Sequence, residues 1–458
     1  MQSLRQLPPD TITAISTPPG RGGIGIVRLS GPESRAIAEP FLRLGSVLSA
    51  GRARFGEVLD STTGEPLDEA VVTFFAGPHS ATGEDVVEIA AHGSPVLLGQ
   101  ILRQCMAGGA RLAQPGEFTQ RAFLNGRIDL TQAEAIHDLI QASTLHQARV
   151  AAQQMGGGLS RVVAPIKSGL VALIAKLEAG IDFAEDDLET SPAEEIVREI
   201  EALCVPLASL ERSFAYGRLV REGFRLAIVG RPNAGKSSLF NKLVERERAI
   251  VTPAAGTTRD LITERIALEG IPLELVDTAG LREAMDEAES LGIAKSHEAM
   301  AEADLVLVVV DAAQPAREET ASLLHRLEGR AVLVVENKCD LLETASRAGS
   351  DEDAPAGIRT SARTGDGIPE LRRAILRKVS GQAPAGEAAV VTNLRQQQAI
   401  GTALASLRQG RGAAEAQVPH EMVLIDLYET LRALDSLTGA TSTEDILRLI
   451  FSTFCIGK

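Results

Sequence analysis

The chain has 458 residues, enough for about three domains with cores of their own. Its 46 Lys and Arg stand against 61 Asp and Glu, a net charge of −15 that counts against general adhesion to nucleic acid through clustered basic side chains. No apolar run approaches the ~20 residues of a membrane span, Met1 to Asp10 shows no secretory pattern, and Cys105, Cys204, Cys339 and Cys455 form no C-x-x-C pair; a cytoplasmic protein with reduced thiols and no membrane association is expected.

From Met1 to Leu130 the chain holds 11 Arg, no Lys and 13 acidic residues, a net of −2, which leaves −13 to the remainder. Short β-rich runs such as Val71 to Phe75 and Val86 to Ala90, separated by Gly/Pro turns, predict an α+β domain over residues 1–128. From Asp129 the pattern turns helical, through Thr131 to Gln154 and Val162 to Ile181, which defines a first helical part over 129–221. The acidic stretch Glu185 to Glu189 reads as a solvated loop and helix start. Between 222 and 382, β-rich runs alternate with helices, the mark of a parallel sheet. The polar stretch Ser346 to Gly357 reads as a surface loop. Helical periodicity returns over 383–458, with Met422, Leu424, Ile425, Leu427, Leu431 and Leu434 as its apolar positions. The economical arrangement is one helical domain with an α/β domain inserted between its halves; two separate bundles are the alternative. Ile446, Leu447, Leu449, Ile450, Phe451 and Phe454 then form an apolar run at helical spacing before Cys455-Ile456-Gly457-Lys458, so the tail is expected to leave a packed helix.

The strand Arg225 to Val229 runs into Gly230-Arg231-Pro232-Asn233-Ala234-Gly235-Lys236-Ser237, which meets G-x-x-x-x-G-K-[ST] at every fixed position and continues with Ser238. Backbone N–H groups of such a loop surround phosphates, Lys236 reaches the β/γ-phosphates, and Ser237 ligates Mg²⁺. Three further elements follow in the required order. Gly256-Thr257-Thr258-Arg259-Asp260 offers a threonine to Mg²⁺ and the γ-phosphate, and Asp277-Thr278-Ala279-Gly280 closes a strand near the metal. Asn337-Lys338-Cys339-Asp340 follows a buried strand, and its carboxylate can accept both N–H groups of the guanine edge, a donor pair adenine lacks. Ser361-Ala362 matches the loop that backs the base. The set reads as a GTP site. Leu281 stands where Ras-like enzymes place the glutamine that orients the attacking water, so another group must do so. Arg282, Glu283, Asp286, Glu287 and Glu289 are within reach in sequence, although for most of them a solvated helix face is the better account.

With Thr17-Pro18-Pro19-Gly20-Arg21-Gly22-Gly23, Pro78 to Glu88, Pro115-Gly116-Glu117-Phe118, Arg121 to Asn125, the phosphate loop and the Cys-x-Gly-Lys end, the chain resembles the MnmE (TrmE) family of tRNA-modification GTPases. The resemblance implies an N-terminal α+β folate-binding and dimerisation domain, a central all-helical domain, and a Ras-like P-loop G domain inserted in it. It implies a homodimer that works with the flavoprotein MnmG (GidA), in a heterotetramer or larger complex. Together they install a carboxymethylaminomethyl or aminomethyl group at C5 of the wobble uridine of certain tRNAs. The one-carbon unit would come from 5,10-methylene- or 5-formyl-tetrahydrofolate. Residue by residue, Arg28, Glu88, Arg127 (lysine is also found there in the family) and Lys458 match folate contacts. Arg28 and Arg127 suit the folate carboxylates, and Glu88 the donor-rich pterin edge. Asn233, Thr252, Ala254 and Thr257 match the ligands of a K⁺ ion that neutralises charge developing on the β/γ oxygens, the role of an arginine finger elsewhere. Glu289 matches the catalytic glutamate. Cys455 is either a thiolate nucleophile or a structural or partner contact; Phe454 and Ile456 beside it would not lower its pKa.

Three other functions share parts of this pattern. A ribosome-assembly GTPase would have the G domain with a basic RNA-binding appendage or a second G domain, and neither is present. A non-catalytic switch would bind GTP only to recruit a partner; Leu281 favours it slightly, and potassium-dependent turnover would exclude it. A stand-alone folate-dependent methyltransferase would need redox chemistry, and the chain has no flavin fingerprint.

Overall fold

The computed structural model describes residues 10–182, 192–244, 263–277, 302–314, 317–342, 357–380, 390–440, 450–451, 454 and 457. The chain divides into two compact units, one of residues 1–137, 155–160 and 432–458, the other of 138–154 and 161–431. The stretches around Glu185, Ser346 and Ile446 lie outside the described residues.

In the first unit, β1 (Ile12–Ile15), β2 (Gly22–Ser30), β3 (Leu42–Leu44), β4 (Arg52–Leu59), β5 (Pro66–Phe75), β6 (Val86–Gly93) and β7 (Arg111–Leu112) form a sheet ordered β3-β4-β5-β6-β2-β1-β7. The pairings are antiparallel except β7, which runs parallel to β1. Two-residue alternation puts Val27, Leu29, Val72 and Ile89 on one face, where they pack with Leu98 and Ile101 of α2 (Pro95–Ala107) in a single buried cluster that also takes in Ile37 and Ala38. Gly25 allows this approach, since a Cβ there would stand 2.3 Å from Leu98 Cδ1. The short α1 (Ser34–Ala38) follows β2, and α3 (Glu117–Leu124) and α4 (Leu130–Gln141) follow β7.

What fixes α3 is ionic. The Arg121 side chain is fully buried, and its guanidinium donates to Asp10 Oδ1 at 2.7 Å, to Glu84 Oε2 at 3.1 Å and to Glu117 Oε1 at 3.1 Å. Arg111 also bridges Asp10 and Glu117, at 2.8 and 2.6 Å. Burial would raise the Asp10 and Glu117 carboxyls, but hydrogen bonds from Arg111 and Arg121, with one from Gln114 N to Glu117, outweigh it and hold both below the usual range.

The second unit is built on a sheet ordered β13-β12-β11-β8-β10-β9. The strands are β8 (Phe224–Gly230), β9 (Thr263–Leu268), β10 (Ile271–Asp277), β11 (Leu305–Asp311), β12 (Val332–Asn337) and β13 (Ile358–Arg359). All neighbours are parallel except β9, antiparallel to β10. Leu305 to Val309 are all buried, as a parallel strand covered on both faces requires. Helices α8 (Lys236–Val244), α9 (Arg317–Arg326) and α10 (Ile368–Ser380) accompany this sheet.

Helices from both sides of that sheet in sequence contribute to the same unit: α5 (Leu145–Met155), α6 (Gly158–Asp182), α7 (Ala193–Glu222), α11 (Leu394–Glu415) and α12 (His420–Thr438), although Met155, the first three residues of α6 and the residues of α12 from 432 on fall in the first. α7 packs along α11, with Ile200, Leu207 and Leu210 buried on one and Ile400, Leu404 and Leu407 on the other. Gly217 lets the chain entering α11 lie against α7, because a Cβ there would stand 2.0 Å from Val391 O. Ser213 Oγ accepts from Val391 N at 3.1 Å. The periodicity over α12 holds for Leu427 and Leu434, fully buried, but not for Met422 and Ile425, which are 55% and 60% exposed. Those two add a second stripe to the helix, so apolar spacing alone overstates its buried face.

The β9–β10 turn, Glu269 and Gly270, has positive φ at both positions (48° and 85°), as a two-residue primed hairpin turn demands. Thr144 Oγ1 donates to Gly270 O at 2.6 Å, and a Cβ on Gly270 would stand 2.7 Å from His146 Cβ. His146 Nε2 lies 3.0 Å from the Tyr216 hydroxyl.

Replacing Arg121 with Met leaves half-buried carboxylates without their cation and should destabilise the first unit by roughly 3 kcal/mol. Because Asp10 and Glu117 are lowered in the folded state, their contribution is present above the unfolded carboxyl value near ~4 and is lost as pH falls through the folded values. Calorimetry of wild type and Arg121→Met between pH 7 and 3 checks both statements; equal melting temperatures would contradict them.

Candidate functional site

The nucleotide loop is a strand–turn–helix. β8 lies between β10 and β11, and its last residue, Gly230, has φ 149° with the position of a Cβ 2.2 Å from Val309 O. Asn233 adopts the left-handed region (φ 62°), which asparagine tolerates, and Gly235 follows at φ 87°. A Cβ on Gly235 would stand 2.2 Å from Asn337 Nδ2, so glycine is required for the loop to close onto β12. The resulting turn directs amides toward the start of α8, where Ser237 and Ser238 are exposed, and Lys236 Nζ donates to Arg231 O at 2.7 Å. A cleft of about 320 Å³ opens beside the loop, lined among others by Pro232, Asn233, Asp311, Thr320 and Lys338. Glycines at the close approaches and a positive helix end make this a cradle for an anion.

Asn337 is 1% exposed and is used as a brace. Its Nδ2 donates to Ala234 O at 3.1 Å, and its Oδ1 accepts from Ala362 N at 3.0 Å, so one side chain ties the phosphate loop to the loop behind the base. Lys338 sits in the left-handed region, and its Nζ meets Asp311 Oδ2 at 2.7 Å. Burial acts to raise Asp311, but Lys338 and the Ala313 amide hold it below the ordinary range. Ser361, fully buried, donates to Asp340 Oδ1 at 2.7 Å and orients that carboxylate. Asp277 ends β10 beside Ile228 of β8. Asn233, Ala234, Gly235, Lys236, Ser237, Asn337, Lys338, Asp340, Ser361 and Ala362 are thus at the end of β12 or on the three segments that follow β8, β12 and β13. Thr252, Ala254, Thr257, Thr258, Thr278, Ala279, Gly280 and Glu289 lie outside the described residues. Asp311 escapes sequence reasoning; an acid at the end of a buried valine run was the available signal.

A second constellation forms in the first unit. Arg28 and Glu88 are cross-strand partners on β2 and β6, joined by Nη2–Oε1 at 2.7 Å and Nε–Oε1 at 2.9 Å. The Arg28 guanidinium lies over the Phe118 ring, 5.6 Å from its centroid. The ion pair sets Arg28 and Glu88 side by side on the sheet. Arg127 is exposed just beyond α3.

The terminal segment comes to the same sheet. Phe451 and Phe454 are buried with Leu130 and Ala133, and the Phe454 ring lies 4.9 Å from that of His137. At Gly116, which begins α3 with φ 69°, a Cβ would stand 2.5 Å from Phe451 O. At Gly457 (φ 98°) it would stand 2.4 Å from Ile15 O, and Ser16 Oγ donates to Gly457 O at 3.0 Å. Ile15 pairs with Val27, the residue before Arg28. Cys455 and Lys458 lie outside the described residues, but their neighbours Phe454 and Gly457 are seated on this unit. Among the described residues no cluster of His, Cys, Asp and Glu could hold a metal ion, and no helix is long and apolar enough to cross a membrane.

Comparison with known proteins matches residues 11–127 to the model of the GTP-binding protein TrmE N-terminus and residues 130–455 to that of the MnmE helical domain. The chain is 58% identical over 453 residues to a tRNA modification GTPase MnmE of Koribacter versatilis, covering 98% of this chain and 99% of that one. It is 44% identical to its counterpart in Symbiobacterium thermophilum (98% and 99% covered) and 41% to that of Aquifex aeolicus (98% and 100%).

Asp340→Asn replaces an acceptor pair with one acceptor and one donor against the guanine edge. Guanine-nucleotide affinity should fall roughly 10- to 100-fold, as expected for a buried polar mismatch. Titration with a fluorescent GDP analogue measures it, and unchanged affinity would remove Asp340 from the base site.

Proposed function

From a chain that belongs to the MnmE family of tRNA-modification GTPases, we propose a protein that couples GTP hydrolysis to a folate-dependent change at C5 of the tRNA wobble uridine. The observation that carries the reading is the packing of Phe451 and Phe454 beside α3 and α4 and of Gly457 against the end of β1, in the unit whose sheet holds the Arg28–Glu88 pair and in a chain whose sequence carries a guanine-nucleotide loop set.

Ser237 and Thr258 would present hydroxyls to Mg²⁺. Asn233, Thr252, Ala254 and Thr257 would hold K⁺, which supplies positive charge where the β/γ oxygens become more negative. Asn233 suits this: its left-handed backbone and exposure leave its carboxamide on the rim of the cleft. Glu289 orients water in place of a glutamine, since Leu281 offers no hydrogen bond. Asp340 fixes the base, and Asn337 keeps the two loops in register.

On the first unit, the Arg28–Glu88 pair, Arg127 and Lys458 form the folate site. The Glu88 carboxylate accepts from the donor-rich pterin edge, while Arg127 and Lys458 provide charge for the carboxylate tail. The added group would be carboxymethylaminomethyl or aminomethyl, with the redox chemistry carried by the flavoprotein MnmG in a shared cytoplasmic complex. Homodimerisation through the first unit is supported by the sheet face opposite the core, where cross-strand partners Phe55 and Val71 are 65% and 42% exposed. Light scattering that finds only monomer would rule this assembly out.

GTP turnover should be slow in sodium buffer and rise at least tenfold in potassium. Steady-state hydrolysis in the two salts decides the matter; equal rates would refute the cation role.

Removing residues 455–458 should abolish wobble modification and spare GTP hydrolysis, because the described nucleotide loops all lie between Gly230 and Ala362. Mass spectrometry of tRNA nucleosides from cells carrying the truncation reads the first, and phosphate release the second. Cys455→Ser then separates a chemical thiol from a packed one: lost modification with intact folate binding assigns chemistry to the sulfur. Normal nucleosides in the truncated strain would reject the functional reading of the tail.

A further inference from the structure

The segment Pro115-Gly116-Glu117-Phe118 marks the family, but no ligand contact among those named above uses Phe118. Its side chain is 3% exposed and shares a small cluster with Ile12, Ala14 and Ala113. Its ring does something that an aliphatic residue of equal size could not: one face of it carries the Arg28 guanidinium, 5.6 Å from the centroid. That guanidinium spends Nε and Nη2 on Glu88 Oε1, and among the described residues Nη1 has no hydrogen-bond partner. Arg28 is therefore held from one face by the ring and along one edge by Glu88, with its remaining edge open.

The ring is itself immobilised. Glu117, one residue before it, accepts from Arg111, Arg121 and Gln114 N, and Asn125 at the end of α3 donates to Thr82 O at 2.8 Å. A flexible arginine is thus presented in one orientation by groups that are themselves hydrogen-bonded in place.

We infer that Phe118 is a positioning residue of the folate site: its ring fixes the plane of the Arg28 guanidinium, and through it the direction of the Glu88 carboxylate that receives the pterin edge. This rests on reading Arg28 and Glu88 as folate contacts.

The test uses the full chain and 5-formyl-tetrahydrofolate, with binding followed by titration calorimetry. Phe118→Leu keeps the apolar volume and removes the π face, and should weaken folate binding roughly three- to tenfold. Replacing Phe118 by its trifluorinated analogue keeps the ring's shape while withdrawing its electron density, so it isolates the attraction even where the leucine variant folds poorly; it should weaken binding in the same direction. Adding Phe118→Leu to Arg28→Ala should cause no further loss, since both act on one group. Full affinity in the fluorinated protein, or losses that simply add, would overturn the inference. If Arg28→Ala itself binds folate normally, the folate reading fails and takes this inference with it. If Arg28→Ala weakens binding and the fluorinated variant does not, only the role of Phe118 fails.

Discussion

The first unit depends on a fully buried guanidinium. A charge removed from water costs several kcal/mol unless paired and hydrogen-bonded, so the three segments that supply carboxylates to Arg121 are not free to drift. Asp10 comes from just before β1, Glu84 from the loop before β6, and Glu117 from the first turn of α3. Once α3 is fixed in this way, Gly116 just before it supplies the surface on which Phe451 rests, and its first turn also places Phe118 against Arg28. Ionic placement thus precedes both features of the candidate folate site.

The second unit solves a comparable problem with a neutral amide. Asn337 belongs to a motif read as base recognition, yet both ends of its side chain are occupied by backbone, Ala234 O on one side and Ala362 N on the other. On the proposed reading, discrimination would fall to Asp340, whose carboxylate is steadied by Ser361. A brace and a reader three residues apart are served by the same strand end, because the chain turns through the left-handed Lys338 between them.

Much of this was legible in the sequence wherever chemistry is encoded by fixed local spacing. The phosphate loop, the strands at Arg225 to Val229 and Val332 to Val335, and the helices after Asp129 all follow from nearest neighbours and periodicity, although of the second run only Val335 is buried. The ionic cluster was not, since Arg121 reaches partners 37 and 111 residues away and no spacing rule joins them. The pairing of Arg28 with Glu88 was hidden for the same reason: register across β2 and β6 is a property of the sheet. Met422 and Ile425 misled because an apolar residue at helical spacing says only that a face exists, not that something covers it.

The clamp on the β9–β10 turn has a mechanical consequence. This hairpin leaves the Thr258 region and returns to Asp277, so it joins the two segments that would feel a γ-phosphate. Its far turn is held by Thr144 and His146, while the nucleotide end is some seven residues along β10, roughly 23 Å at strand rise. Because β10 is paired with β8 from Leu273 to Asp277, the hairpin is a stiff link between that end of the sheet and the start of α5, where Tyr216 of α7 backs His146.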